Sequence, residues 1–111
     1  MAKLVRTLKG NLNTAIGYCD QAVNKSISAH LEDSDRYTLN GVEIATRVYE
    51  RYSYIGGNRV SLSVTLAAYD GEVRLTAITS GGSQAMFFKI NTFGESAFLD
   101  SLARELDAYT L

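Results

Sequence analysis

Residues 60–77 read VSLSVTLAAYDGEVRLTA, and this stretch decides the fold. Valine and leucine alternate with small or polar residues on both sides of Asp70-Gly71, a pair typical of tight hairpin turns because both residues accept positive φ angles. Asn40-Gly41 repeats this signal upstream, and Gly56-Gly57-Asn58 separates the two stretches. These turns predict a four-stranded antiparallel meander from about Ser28 to Ser80, with Gly41 and Gly71 at positive φ.

A strand and a helix precede the meander, and a second helix follows it. Lys3–Lys9 alternates as a short strand, and Asn11 or Asn13 can cap the helix after it. Apolar residues recur at spacings of three and four in both helices, which places them on one stripe of each. The stripes are Leu12, Ala15, Ile16, Cys19, Val23 and Ile27, then Phe98, Leu102, Leu106 and Tyr109.

The order strand, helix, four-stranded meander, helix predicts an α+β domain in which a curved antiparallel sheet packs on the helices. We expect one domain, residues 1–111, because the chain has 111 residues. Alternation predicts one aliphatic sheet face, on which we place Val42, Ile44, Val48, Val60, Leu62, Val64, Leu66, Val73 and Leu75. The opposite face carries the hydroxyl row Ser61, Ser63, Thr65 and Thr76, a flat uncharged surface that either contacts water or associates with a second copy.

Composition excludes several classes of function. The net charge of −1 and the pI near 5.7 provide no basic field for nucleic acid, although tyrosines and arginines alternate between positions 47 and 74. No stretch approaches the roughly 20 apolar residues of a membrane span, and no apolar segment follows the first residues. We therefore expect a soluble cytoplasmic protein with no nucleic-acid or membrane partner.

The lone histidine and the lone cysteine argue against a catalytic or metal centre. His30 has the acidic neighbours Glu32, Asp33 and Asp35, but a zinc site needs three or four ligands from His, Cys and carboxylates. Cys19 lies on the apolar helix stripe, which predicts a buried and inert thiol. Since no nucleophile, base and orienting group can be named together, we expect no enzyme activity, no metal and no cofactor.

The segment from Ser80 to Phe88 is the least ordinary loop of the chain. Its glycine pair, Gly81-Gly82, interrupts an apolar sequence directly before two adjacent phenylalanines, which cannot both face one side of a strand. We place a candidate ligand site here. Its residues are Ser83, Gln84, Met86, Phe87 and Phe88.

Three motifs resemble an uncharacterised family of small bacterial proteins of about 110 residues. They are Gly56-Gly57-Asn58-Arg59-Val60-Ser61-Leu62, Thr79-Ser80-Gly81-Gly82-Ser83-Gln84-Ala85-Met86-Phe87-Phe88-Lys89 and Phe93-Gly94-Glu95-Ser96-Ala97-Phe98-Leu99. The element order also resembles the helix-grip, TATA-binding-protein-like fold. That resemblance implies a curved sheet around a C-terminal helix and, as in larger helix-grip proteins, an apolar ligand between them.

Two functions from different classes therefore stand side by side. One is a non-enzymatic module that binds a small apolar or mixed ligand between the sheet and the C-terminal helix. The other is a protein–protein interaction or homodimerisation module that uses the exposed sheet face. A cavity of some 300 Å³ or more that is lined by the residues near Met86, Phe87 and Phe88 favours the first function. A well-packed core with a symmetric sheet contact of about 1,000 Å² or more favours the second.

Overall fold

The structure, a computed structural model, describes residues 2–25, 29–53, 58–81, 102–104 and 106–107. Residues 102–104 and 106–107 are helical. The remaining described elements are β1 (Ala2–Lys9), α1 (Leu12–Asn24), β2 (Ala29–Leu39), β3 (Val42–Ser53), β4 (Asn58–Tyr69) and β5 (Glu72–Gly81). The predicted α+β class and element order are confirmed.

The strands form one five-stranded sheet in the order β1-β5-β4-β3-β2, and every neighbouring pair is antiparallel. β4 is the central strand, and β1 and β2 are the two edges. The pairing of β1 with β5 confirms that the first strand joins the end of the meander. The sheet is therefore built from local hairpins plus one return of the chain.

Two of the three predicted turns have the expected backbone. Asn40 and Gly41 have φ values of 50° and 81°, and Asp70 and Gly71 have values of 53° and 78°. Positive φ at both central residues is the type I′ pattern, whose twist matches that of the flanking strands. The third predicted turn, Gly56-Gly57-Asn58, includes residues 56 and 57, which lie outside the described part of the chain.

The helix α1 begins at the predicted cap. The Asn11 side-chain oxygen accepts a hydrogen bond from the Thr14 backbone N–H at 2.8 Å. Just before it, Gly10 has a φ of 119°, and its N–H donates to the carbonyl of Gly71 at 2.9 Å. This bond ties the start of α1 to the β4–β5 turn, so the helix is directed across one face of the sheet.

The core lies between α1 and the face of the sheet that it covers, which we call the inner face. All six residues expected from β4 and β5 are buried there, together with Cys19, Val23, Leu102 and Leu106. Ile16 packs against this core while partly buried, and Phe98 lies outside the described residues. The predicted packing of the helix stripes on the aliphatic face is confirmed for the residues of β4 and β5 and for the described residues of the two stripes.

The face predicted for β3 is wrong. In the β3–β4 register Ala45 pairs with Leu66 and Tyr49 pairs with Leu62, so Ala45 and Tyr49 belong to the buried inner face. The aliphatic residues that alternate with them, Val42, Ile44 and Val48, therefore point to the opposite face, which we call the outer face. Directly paired residues share a face, and the long aliphatic run of β4 fixes which face is inner.

Two glycines are expected to respond oppositely to alanine. Gly71 has a φ of 78°, whereas a Cβ on Gly17 meets no atom within 4 Å and its φ is not in the left-handed region. Gly71→Ala should lower the free energy of unfolding by about 1–2 kcal/mol because alanine is strained there. Gly17→Ala should raise it by up to about 1 kcal/mol through helix propensity. Urea unfolding followed by circular dichroism measures both, and equal signs would contradict the assignment.

Leu102→Ala should lower the free energy of unfolding by about 2–5 kcal/mol, because Leu102 is 1% exposed in the core. Leu39→Ala is the matched control, since Leu39 is 59% exposed at the end of β2 and should cost little. Chemical denaturation compares the two variants. A loss below about half a kcal/mol for Leu102→Ala would show that the C-terminal helical residues do not contribute to the core.

Candidate functional site

An open groove runs between α1 and the β2–β3 hairpin. It has a volume of about 370 Å³, within the range usual for small-molecule sites. The groove lies where α1 contacts β2 without burying it, since every residue of β2 after Ala29 is exposed. Its lining residues are Asn13, Ile16, Ser34, Asp35, Arg36, Ala45 and Arg47.

Arg47 is held in the groove wall by two neighbours. Its Nη2 donates to both carboxylate oxygens of Asp20, at 2.8 and 3.0 Å, and its Nε donates to the Tyr49 hydroxyl at 2.8 Å. The Tyr49 hydroxyl in turn donates to Asp20 Oδ1 at 2.6 Å. Arg47 and Tyr49 reach the same carboxylate because residues two apart on a strand share a face. The three side chains therefore form a closed network.

Burial and hydrogen bonding shape the electrostatics of this network. Burial raises the pKa of the Tyr49 phenol, and the hydrogen bond to Asp20 raises it further. Burial lowers the pKa of Arg47, but its bonds to Tyr49 and Asp20 outweigh this, so its pKa lies above the usual value. Arg47 stays a cation and Tyr49 stays protonated at neutral pH.

The groove offers hydrogen-bond donors beside an apolar floor. The bonds to Asp20 and Tyr49 use Nη2 and Nε of Arg47, while its Nη1 carries two further N–H donors. Arg36 crosses the other end, where its Nη1 donates to the Asn13 side-chain oxygen at 2.5 Å. Ile16 supplies apolar surface between the two arginines. The arrangement suits a ligand with an apolar body and an acceptor oxygen.

Cys19 and His30 do not form a catalytic pair. Cys19 is buried in the core, where desolvation and the nearby Asp20 raise the pKa of its thiol to about 12. His30 is exposed, and its pairing with Glu50 places it on the outer face. A thiolate nucleophile with this histidine as its base is excluded, because the sheet separates them.

One group of possible metal ligands occurs among the described residues. Ligand atoms of His30, Glu32 and Glu50 lie within 4.8 Å of one another, and His30 Nε2 is 2.5 Å from a Glu32 carboxylate oxygen. A β-bulge between Leu31 and Asp33 brings Glu32 beside His30. The Arg59 guanidinium, 3.0 Å from Glu50, already provides a positive charge there, which opposes a cation.

The structure separates several residues that the sequence grouped. Arg47 and Tyr49 lie on the inner face, whereas Tyr52, Tyr69 and Arg74 lie on the outer face, so they form no continuous basic-aromatic surface. The hydroxyl row of β4 and β5 lies on the outer face, as expected. The predicted ligand-site residues Ser83, Gln84, Met86, Phe87 and Phe88 lie outside the described residues.

Sequence reasoning missed the Asp20–Arg47–Tyr49 network and the groove. The sequence of β3 contained a signal for the network. Ala45 and Tyr49 alternate with the aliphatic residues, and a face that carries Ala45 and Tyr49 can also be buried. Arg47 lies between Ala45 and Tyr49 on the same face of β3, and a cation on a buried face needs an acidic partner. Asp20 on α1 can be that partner, because it follows Ile16 of the apolar stripe by one helical turn. A two-residue periodicity alone does not choose between the two faces of such a strand.

Comparisons with known proteins provide little beyond a family. One family model matches residues 1–110, and its description is a family of unknown function. No curated protein matches this sequence. The chain is similar to the crystal structure of TTHA0849 from Thermus thermophilus, at 8% identity over 96% of this chain and 97% of that one, with a TM-score of 0.32. Within the described ranges, no helix has the length and apolarity needed to cross a membrane.

Stability should fall as the pH rises above about 9. The folded state keeps the protons of Cys19 and Tyr49 beyond their usual pKa values of 9.0 and 10.0, while the unfolded chain releases them there. The unfolded state therefore binds fewer protons, and the free energy of unfolding decreases with pH. Urea unfolding between pH 7 and pH 10.5 measures this slope.

The double variant Cys19→Ala/Tyr49→Phe should show a flatter alkaline slope than wild type, because both titrating groups are removed. Tyr69→Phe, at a site that is 65% exposed, is the matched control. A double variant with the full wild-type slope would show that these two groups do not cause the alkaline loss.

Proposed function

The chain belongs to the family of unknown function DUF6054, and we propose that it is a non-enzymatic binding module for a small ligand of mixed polarity. The ligand occupies the groove between α1 and the β2–β3 hairpin. The proposed ligand is of the class expected from the sequence. Its site lies on the α1 side of the sheet, where the described residues form a concavity.

The position of Arg47 carries this proposal. Its side chain is 14% exposed, so much of the hydration of a permanent cation has been lost. A pair of apolar residues of similar size is often at least as stable as such an ion pair, so stability alone does not account for it. The network with Asp20 and Tyr49 instead fixes the guanidinium in one orientation at the groove wall. Such preorganised donors are typical of binding sites.

The lining defines the class of ligand. Ile16 and Ala45 provide an apolar floor, and the arginines at the two ends donate hydrogen bonds. Asp20 pairs with Arg47, and Asp35 lies in the lining next to Arg36, so the groove has no strong field and favours one well-placed acceptor over a multiply charged ligand. We expect a compact molecule with an apolar body and one carboxylate or carbonyl group.

The finer fold assignment belongs with this proposal. A helix-grip arrangement, in which the sheet holds the C-terminal helix, is supported by the burial of Leu102 and Leu106 in the core of the inner face. That helix then closes the part of the inner face that α1 leaves uncovered. A bacterial origin and a cytoplasmic location stay predictions from the sequence.

A second candidate function is association through the outer face of the sheet. Of the outer-face side chains that the structure describes, none is buried, and Val42, Ile44 and Val48 add aliphatic surface that the sequence had assigned to the core. The groove and the outer face lie on opposite sides of the sheet. The two functions are therefore compatible and can be tested separately.

Hexanoate is a suitable probe of the groove, with hexylammonium as the probe of opposite charge. Titration followed by amide NMR should shift residues of the groove lining with hexanoate, with a Kd on the order of 1 mM for a ligand of this size. Hexylammonium should bind more weakly because both ends of the groove present donors. Arg47→Gln should weaken the preference between the two probes, while Arg36 continues to donate at the other end.

Two serine variants provide a matched pair for the same titration. Ser34→Leu adds bulk to the groove lining from exposed β2, and it should abolish the hexanoate shifts. Ser61→Leu makes the same change on the outer face and should leave them unchanged. Absence of groove shifts in the wild type, or equal loss in both variants, would contradict the proposal.

A further inference from the structure

The outer face has a charge at each edge and a neutral centre. Lys3 and Lys9 are on β1, and Asp33 and Asp35 are at outer-face register positions of β2. The charges between these two edges sum to zero: Glu72, which pairs with Lys9 in the register, and Arg74 lie on β5, and Arg59 and Glu50 are 3.0 Å apart. One edge of this open face is therefore basic and the other acidic.

The centre of the outer face is uncharged and partly apolar. It consists of Ile44, Thr46, Val48, Ser63, Thr65, Ala67, Thr76 and Ile78. Ile78 is 37% exposed, and none of these side chains is buried. Five strands spaced about 4.8 Å apart, over about eight residues each, give this face a projected area of roughly 650 Å². The accessible surface of a rough side-chain layer exceeds its projection, so the face approaches the ~800 Å² per partner of a standard interface.

We propose that a second copy of this chain covers the outer face, with the two-fold axis parallel to the strands, so that β1 of each protomer lies over β2 of its partner. The proposal is independent of the groove, which lies on the other side of the sheet. The basic β1 edge and the acidic β2 edge are complementary to each other, so a second copy of the chain fits this face in the orientation that places β1 over β2.

The strand order makes the match residue-specific for one pair of edge charges, Lys3 and Asp33. β4 is central, so this rotation places β4 over the partner's β4 and exchanges the two edges. Cross-strand register aligns Lys3, Ile78, Ser63, Val48 and Asp33 in one row. A rotation about an axis parallel to the strands keeps that row in place, so Lys3 faces the partner's Asp33 and Ile78 faces the partner's Val48. Each contact occurs twice in the dimer.

Sheet twist leaves this match intact. Face-to-face sheets pack about 30° from alignment, and the edge strands lie about 10 Å from the central strand. The rotation then displaces edge residues by about 5 Å relative to their partners, a distance that a lysine side chain spans. The central contacts near the axis move far less.

The other symmetric arrangements place like charges together. A two-fold axis across the strands sets β1 over β1 and β2 over β2, so Lys3 meets basic residues and Asp33 meets acidic residues. Edge-to-edge pairing of two β2 strands brings together Glu32, Asp33 and Asp35 beside a β-bulge, and both features oppose strand addition. Only the proposed arrangement places each charged edge against its opposite.

Sedimentation equilibrium on the full chain measures the association. The wild type should reach twice the 12.1 kDa mass of one chain, and its Kd should rise with salt because the edge contacts are exposed ion pairs. Lys3→Glu and Asp33→Lys should each raise the Kd on the order of tenfold, since each places like charges together twice per dimer. An equimolar mixture of the two variants should recover wild-type affinity.

The double variant Lys3→Glu/Asp33→Lys determines the orientation. It should self-associate like the wild type but form no mixed dimer with it, as read by native mass spectrometry. Preferential mixing with the wild type would show that β1 lies over β1, and would overturn the proposed orientation. A monomeric wild type at about 0.5 mM would overturn the dimer itself.

Two further variants test whether a change in charge matters only when it lies on the outer face. Thr65→Arg, at the centre of the face, should abolish every face-to-face dimer, and retained association would place the contact elsewhere. Gln21→Glu, on the exposed side of α1, changes net charge away from the face and should leave the Kd unchanged. Circular dichroism verifies that each variant is folded, because all these positions are exposed.

Discussion

The register between β3 and β4 is the constraint on which the rest of the structure depends. β4 carries an uninterrupted aliphatic row that is buried on one face only, and each β3 residue takes the face of its β4 partner. This places Arg47 toward α1 and Val48 toward the outer face. A shift by one residue would exchange those two side chains and remove both the polar network and the aliphatic part of the outer face.

The exposure of β2 has the second largest consequence. The helix α1 contacts β2, β3 and β4, yet every residue of β2 after Ala29 is exposed, so β2 acts as the wall of a groove on one side and as the acidic edge of a surface on the other. Its charged residues and its bulge protect the free edge from strand addition.

The Asp20–Arg47–Tyr49 network links these features to the core. It spans α1 and β3 at the border between buried and exposed surface, where Cys19 is its buried neighbour. Polar contacts of this kind contribute modestly to stability but define how the two elements are positioned. The same bonds that orient the guanidinium at the groove wall therefore also fix α1 relative to the sheet.

The sequence by itself determined the element order, the two type I′ turns and the core residues of β4 and β5, and it limited the helix cap to Asn11 or Asn13. These follow from short-range periodicity and turn chemistry, which act within a few residues. It did not determine the face of β3, where aliphatic and mixed residues alternate and each set can be buried. Only the tertiary structure decided that face, because the choice depends on pairing with β4 and on the position of Asp20, 27 residues before Arg47. The groove, the network and the opposed edge charges all result from contacts distant in sequence, so no local pattern encodes them.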